Sequence, residues 1–186
     1  MRKVIAAINI TLDGFCDHTA GVPDAEVHNH YTELLRSAGD LLYGRTTYQM
    51  MEEYWPTLVK QPSGEKPMDD FAQAIQHVSK VVFSHTLKEV TWENSRLAQK
   101  DLKEEVLALK KQEGQDILAG SPSIISALNH LKLIDEYQLC IHPVAAGGGL
   151  PLFENMNLRT EFKLTKTKTL GGGAIILYYE PLRRSR

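Results

Sequence analysis

An excess of charge of one sign is nearly absent from this chain. Its 21 Lys and Arg residues are set against 23 Asp and Glu, a formal net charge of -2, so no global positive field draws it to nucleic acid or to an anionic membrane. Any anion site must be local. Cysteine is scarce as well: Cys16 and Cys140 are the two in 186 residues, far apart and without CxxC spacing, which argues against a disulfide framework or a zinc knuckle and for two reduced thiols. No apolar run approaches the roughly 20 residues of a membrane span. Met1-Arg2-Lys3 leads straight into a strand pattern rather than a signal peptide's apolar run. The expectation is a cytoplasmic protein with no membrane and no nucleic-acid partner.

Several catalytic signatures are missing too. Without GxxxxGK[ST], phosphoryl transfer from a nucleoside triphosphate is disfavoured, and without GxGxxG a dinucleotide, if bound, is held in some other way. Neither a GxSxG elbow nor HExxH occurs. The 7 histidines are scattered. His28 and His30, two apart, would point to different faces of a helix, so both imidazoles are expected to face solvent and no metal site is expected.

What is present is an ordinary globular composition, 42% hydrophobic and 24% charged, in a length that buries about 70% of its unfolded surface in one core. One domain, residues 1–182, followed by a charged tail at 183–186, is the expected organisation. The chain is organised around Leu41-Leu42-Tyr43-Gly44-Arg45-Thr46-Thr47-Tyr48. An apolar run beginning at Asp40 reads as a buried strand that ends on a glycine, a guanidinium and two hydroxyls where a helical pattern starts. A helix N-terminus offers unpaired N–H groups and the positive end of the macrodipole, so this is a place to hold phosphate. An ordinary strand-to-helix turn with a threonine cap explains the same residues equally well. Asp116-Ile117-Leu118-Ala119-Gly120-Ser121-Pro122 repeats the design, with Ser121 as N-cap and Pro122 at the first helical position.

The remaining pattern alternates strands and helices. Val4 to Ile8 is continuously apolar, as in a central strand covered on both faces, and it leads through Asn9 to Asp13-Gly14, a turn at the carboxyl edge of a sheet. Val27, Tyr31, Leu34 and Leu35 form a helical stripe with Gly39 as its C-cap; the helix after Gly44 is expected to stop at Trp55-Pro56. Gln61 to Pro67 reads as a loop, and Phe71, Ile75 and Val78 as a helix. Lys80 to Ser84 reads as a strand ending beside His85, Glu89 to Trp92 as a short strand, and Leu102 to Leu109 as a helix. Tyr137 to Val144 is a strand stopped at Pro143, followed by the glycine-rich Ala145 to Phe153. Phe162 to Leu170, Gly171-Gly172-Gly173 and Ala174 to Tyr179 make a terminal antiparallel hairpin. The fold class is α/β, with a mostly parallel sheet of about eight strands, interleaved helices and a C-terminal hairpin.

Gly44-Arg45-Thr46-Thr47-Tyr48, Ala119-Gly120-Ser121-Pro122, Ile134-Asp135-Glu136, Ile141-His142-Pro143 and Gly147-Gly148-Gly149-Leu150-Pro151-Leu152-Phe153, in this order and with Thr11-Leu12-Asp13-Gly14 near the start, resemble the dihydrofolate reductase-like superfamily. Within it the sequence is most similar to the riboflavin-biosynthesis reductase (RibD C-terminal) domain and its small stand-alone relatives. The resemblance implies a three-layer, NADPH-dependent reductase fold, commonly a homodimer. It implies that Gly44, Arg45, Thr46 and Thr47 hold cofactor phosphates, that Ser84 and His85 lie near the adenosine 2′-phosphate, and that Gly120, Ser121 and Pro122 close on the pyrophosphate. Asn9, Asp13 and Gly14 would stand on the substrate side, with Asp13 the candidate proton source and Asp24 second. Two departures accompany it. The second motif is Ala119-Gly120 where folate enzymes have Gly-Gly, and Pro23 to His28 does not reproduce their helix carboxylate pattern, so folate reduction is disfavoured. The expected activity is hydride transfer from NADPH to a small heterocyclic substrate; a nucleotide-binding protein that kept the fold without turnover is the alternative.

Overall fold

The computed structural model describes every residue except 17, 18, 20, 22, 23, 154–158 and 183–186, so the charged tail and Pro23 lie outside the described residues. The elements are β1 (Val4–Thr11), α1 (Ala25–Arg36), β2 (Ala38–Gly44), α2 (Arg45–Lys60), α3 (Lys66–His77), β3 (Ser79–Phe83), β4 (Ser95–Leu97), α4 (Leu102–Lys111), β5 (Asp116–Ala119), α5 (Pro122–His130), β6 (Glu136–His142), β7 (Phe162–Thr169) and β8 (Ile175–Pro181). They build one sheet in the order β4-β3-β2-β5-β1-β6-β8-β7. Every pairing from β4 to β6 is parallel, and β8 and β7 close the far side antiparallel.

Right-handed crossovers dictate the layers. The chain moves outward along the sheet through α1, α2 and α3 and returns through α4 and α5, so the two groups of helices cover opposite faces. The core shows the division. Ile5, Leu41, Tyr43, Val82 and Leu118 pack with Leu35 of α1, Tyr48 of α2 and Phe71 and Ile75 of α3, whereas Val4, Ala6, Leu42, Val81 and Ile117 pack with Val106 and Leu109 of α4 and Ile124 and Leu128 of α5. Alternate residues of each strand serve alternate faces, which is why β1 and β2 read as continuous apolar runs.

The structure departs from the sequence pattern in several places. Gly39 is not the C-cap of α1. That position is Ser37, and Gly39 lies in β2 beside a register shift, where a Cβ would meet the Arg2 guanidinium at 2.5 Å. The absence of a side chain there admits the buried Arg2–Asp40 ion pair, 2.6 Å. The helix after Gly44 does not stop at Pro56 but runs on to Lys60. Proline forfeits one backbone bond, and the packing of Trp55 on Phe71, 4.4 Å between ring centroids, holds this part of the helix in place. Glu89 to Trp92 forms no strand; the short β4 comes later, at Ser95, because Trp92 is drawn into the core with its backbone N–H donating to Tyr48 Oη at 3.0 Å. His28 and His30 are not solvent-facing: His28 meets Trp55 and Phe71 edge-on, and His30 is 6% exposed. Among the described residues no His, Cys, Asp and Glu cluster is arranged to hold a metal ion, and no helix is long and apolar enough to cross a membrane.

Candidate functional site

Because β3, β2, β5, β1 and β6 are parallel, their carboxyl ends lie on one edge, and the chemistry-bearing residues follow in spatial order: Ser84 and His85, then Gly44 to Thr47, then Gly120 to Pro122, then Asn9 to Gly14, then His142. Three interstrand steps separate the first group from Asn9, about 14 Å at ordinary sheet spacing. The connection leaving β2 passes over one face and that leaving β5 over the other. The gap between these neighbouring strands is therefore a topological switch point, the crevice where open α/β sheets bind ligands.

Two helices start at that crevice, and their starts differ from the rest. In α1 and α4 the N-cap carboxylates of Asp24 and Asp101 accept backbone N–H bonds, and α1, α3 and α4 all carry acidic residues in the first turn. Neither α2 nor α5 has an acidic first turn or a side-chain cap. The expected Ser121 cap is not made. Its hydroxyl, 1% exposed, accepts the Gly44 N–H at 3.2 Å and lies 2.9 Å from Thr47 Oγ1, so one helix start is tied to the other. Gly44 is also explained by this junction, since a Cβ would stand 2.7 Å from Ser123 Oγ and 3.2 Å from Ser121 Oγ. Gly120 has no such neighbour; its nearest contacts would be at 3.7 Å. Arg45 and Thr46 are exposed, and Thr47 is half-buried at the mouth. Pro122 opens α5 and has no N–H to offer. Ser84 Oγ accepts the Thr86 and Leu87 N–H groups, at 3.1 and 2.9 Å, and forms the turn that presents the exposed His85.

Beyond β1 the edge changes character. Asp13 accepts from Thr11 Oγ1 at 2.6 Å, Ala146 N at 3.0 Å and Gly147 N at 2.7 Å. The Thr11 hydroxyl and these two amides push its carboxyl down to about 2, so at neutral pH it anchors the glycine-rich loop as an ionised acceptor and carries no proton to donate. Gly14 supplies a left-handed turn, φ +85°. Asn9 Oδ1 lies 2.9 Å from Nε2 of His142, which is 4% exposed. Burial lowers the affinity of His142 for a proton and the Asp24 carboxylate partly restores it. Sequence reasoning left His142 without a role of its own, although Ile141-His142-Pro143, at the end of β6, is among the motifs that carry the family resemblance.

Asp24 caps α1 through Oδ1, accepting Val27 N at 2.9 Å. It also lines a cavity of about 590 Å³ with Ala25, His28, Tyr54, Trp55, Glu65, Pro67 and Met68. Topology puts this cavity on the same edge. α1 and α3 end just before β2 and β3 begin, at the amino edge, so these 12-residue helices, each about 18 Å long, start at the carboxyl edge. The aromatic wall was missed in the sequence because Trp55 and His28 belong to different helices.

These features define a doubly wound α/β protein with an anion-receptive crevice beside an aromatic, acid-lined cavity. The model of the RibD C-terminal domain matches residues 2–176, and the chain belongs to that family. It is 33% identical over 183 residues, 96% of this chain and 94% of its relative, to the YyaP protein of Bacillus subtilis (strain 168). Among solved structures, a protein of Shewanella sp. PV-4 assigned to riboflavin biosynthesis superposes with a TM-score of 0.74 at 20% identity, covering 97% of this chain and 99% of that one. The diaminohydroxyphosphoribosylaminopyrimidine deaminase/5-amino-6-(5-phosphoribosylamino)uracil reductase of Thermotoga maritima gives 0.66 at 15% identity, covering 97% of this chain and 57% of that one. The fold, an eight-stranded mostly parallel sheet with antiparallel C-terminal strands, is the reductase-like fold of that family.

Proposed function

We propose that this protein is an NADPH-dependent oxidoreductase that passes a hydride to a small heterocyclic acceptor of the riboflavin-precursor or pterin type, acting on a CH–NH or C=N group. The observation that carries this reading is the pair of acid-free, uncapped helix starts joined through Ser121 across the β2/β5 crevice. The donor set fits a dinucleotide. Arg45 to Thr47 would receive phosphate oxygens on amides, hydroxyls and the Arg45 guanidinium, with Gly44, whose own N–H is held by Ser121 Oγ, fixing the turn beneath them; Gly120 and Ser121 would close on the pyrophosphate from the opposite face, and His85 and Ser84 would stand toward the 2′-phosphate. NADPH, when bound, supplies the hydride from its nicotinamide ring. The chain's own work is placement: Asn9 and His142 form the floor at the ends of β1 and β6, and the Asp13 clamp holds the glycine-rich loop beside them. Assembly as a homodimer belongs to the same proposal and is checked by sedimentation.

Calorimetric titration with NADPH and NADH tests the reading. Arg45→Ala, at an exposed position with no ion pair among the described residues, is expected to weaken NADPH about tenfold, the effect of losing one charge-assisted contact, with stability unchanged. Binding of neither nucleotide below millimolar by the intact protein ends the proposal. A catalytically silent nucleotide-binding protein is the second reading, favoured by the full engagement of Asp13. Tight NADPH binding with no oxidation against pterins, flavin precursors, quinones and dihydrofolate would decide for it.

A further inference from the structure

Among the described residues Arg2, Lys80, Glu105 and Lys110 are the buried acidic and basic side chains other than histidine. Arg2, Glu105 and Lys110 each have an ion-pair partner, and Lys80 has none. Its residue is 0% exposed, and its ammonium donates to the carbonyls of Gln76 at 3.1 Å, Val78 at 2.9 Å and Glu93 at 3.1 Å while lying 4.4 Å from the centroid of the Trp92 ring. An ammonium carries three N–H donors and no lone pair, so three carbonyls fit the charged form alone. The neutral amine would leave one carbonyl without a donor and turn its lone pair toward oxygen. Burial opposes this and pushes the Lys80 pKa down from 10.5 to about 8, with the Glu93 carboxylate holding it up in part. The charges on the neighbouring elements are otherwise engaged. Gln76 Nε2 donates to the Glu93 carboxylate at 2.7 Å, Asp40 of β2 pairs with Arg2, and Arg96 of β4 pairs with Glu105. Glu52 of α2 accepts from Tyr48 and Thr91, and His77 of α3 lies 2.7 Å from the Gln73 carbonyl.

The turn that Lys80 holds, residues 91–94, is tied to α3 through Gln76, whose Oε1 accepts from Trp92 Nε1 at 2.6 Å and whose carbonyl also accepts from Asn94 Nδ2 at 3.1 Å. On its other side the turn reaches α2. The Trp92 N–H donates to Tyr48 Oη at 3.0 Å, and Tyr48 Oη and Thr91 Oγ1 each donate to Glu52 Oε1 at 2.7 Å. Tyr48, 1% exposed, directly follows Thr47 in the first turn of α2. We propose that Lys80 is a proton-operated latch: its ammonium pins the 91–94 turn to the end of α3 and, through Trp92 and Tyr48, holds the first turn of α2 at the β2/β5 crevice, and loss of one proton to solvent slackens that hold. The crevice is thereby made sensitive to pH by a residue at the opposite, amino edge of the sheet.

Trp55→Phe leaves Trp92 as the one indole of the chain. Its fluorescence in the intact protein, followed from about pH 6.5 to about 9.5, is expected to show one transition centred at about 8, absent when Lys80→Met is added. The Trp92 amide, bonded to Tyr48 Oη, should lose about tenfold in hydrogen-exchange protection across that transition, and Lys80→Met should show the low value already at neutral pH. Global stability moves the other way. The unfolded lysine keeps its proton up to about 10.5, so between about pH 8 and 9.5 the unfolded chain binds the extra proton, and the unfolding constant should fall by up to about tenfold per pH unit in the parent and not in Lys80→Met. Glu93→Gln, on an exposed residue, keeps an acceptor for Gln76 but removes the charge, so it should move the midpoint to lower pH; it carries the test if Lys80→Met does not fold. NADPH affinity should fall about fivefold through the same transition, and this arm alone rests on the reductase reading. The latch is overturned by the absence of any transition below about pH 9.5, by one that survives Lys80→Met, by a midpoint that Glu93→Gln leaves in place, or by Trp92 protection that does not follow it. An NADPH affinity that stays constant through an intact Trp92 transition overturns the link to the crevice, whereas no NADPH binding at any pH, with the Trp92 transition present, refutes the reductase reading and not the latch.

Discussion

Replacing Ser121 by alanine tests the junction between the two helix starts. The hydroxyl is 1% exposed and accepts the N–H of Gly44, itself buried, at 3.2 Å while bonding Thr47 Oγ1 at 2.9 Å. Without it the Gly44 N–H has no acceptor, since as N-cap of α2 it has none within the helix, and an orphaned buried donor costs about 1–3 kcal/mol. Thr47, half-buried, turns its hydroxyl to water and adds about 0.5–1 kcal/mol for the lost bond. The expected loss is about 2–3 kcal/mol, or about 4–12 °C in Tm for a chain of this length. Urea denaturation should show a lower midpoint with an unchanged slope. In a double-mutant cycle with Thr47→Val, the coupling should be about 0.5–1.5 kcal/mol. NADPH affinity should fall alongside, because the amides of both helices lose their mutual registration. A loss under 0.5 kcal/mol with no coupling to Thr47 would refute the claim that this hydroxyl joins the crevice.

Gly120→Ala separates a ligand role from a packing role. A Cβ fits there with nearest contacts at 3.7 Å, so stability should stay within about 0.5 kcal/mol while NADPH binding drops at least tenfold if the pyrophosphate approaches this backbone; unchanged affinity would remove Gly120 from the site. Asp13, held at about 2, anchors its loop above the ordinary carboxylate value and releases it only as pH falls through about 2. Asp13→Asn should therefore remove no limb from a pH–rate profile between pH 4 and 9 but should speed hydrogen exchange at Ala146 and Gly147, and the loss of an acidic limb in that variant would restore Asp13 as proton donor. His30, buried beside Tyr31 and Tyr178 with Lys166 and Lys168 on β7 and Glu33 on its own helix, is pushed down to about 4 from 6.5, chiefly by burial. Between those values the unfolded chain binds the extra proton, so stability falls as pH drops through this window by up to about 1.4 kcal/mol per pH unit. Urea midpoints should show that slope diminished in His30→Gln; an unchanged slope would place the titration elsewhere.

The strand and helix pattern was readable because the strands from β3 to β6 are largely buried between the two helix layers, so that apolar runs such as Val4 to Ile8 and Leu41 to Tyr43 stand out, and because Gly44 and Gly120 mark carboxyl ends. Asp24 could be read as a residue before a helix, but not as the wall of a cavity, since its companions Trp55 and Glu65 come from elements that meet it only after the crossovers are made. Lys80 shows the same limit. Its place in an apolar strand is legible, yet that its ammonium donates to the carbonyls of Gln76, Val78 and Glu93 and lies 4.4 Å over Trp92 depends on three separate segments.

Local order, then, is what the sequence determined on its own: periodicity, glycines and prolines act over a few residues, and they specified the elements, the alternation of faces and two phosphate-capable helix starts. The tertiary structure alone decided what those starts share and what lies next to them. Ser121 reaches across to Gly44 rather than capping its own helix, Asp13 is claimed by a loop more than 130 residues away, and two carboxylates close on an aromatic wall. Each is a contact between side chain and distant backbone or side chain, whose partner is chosen by the crossover geometry and not by neighbours in the chain.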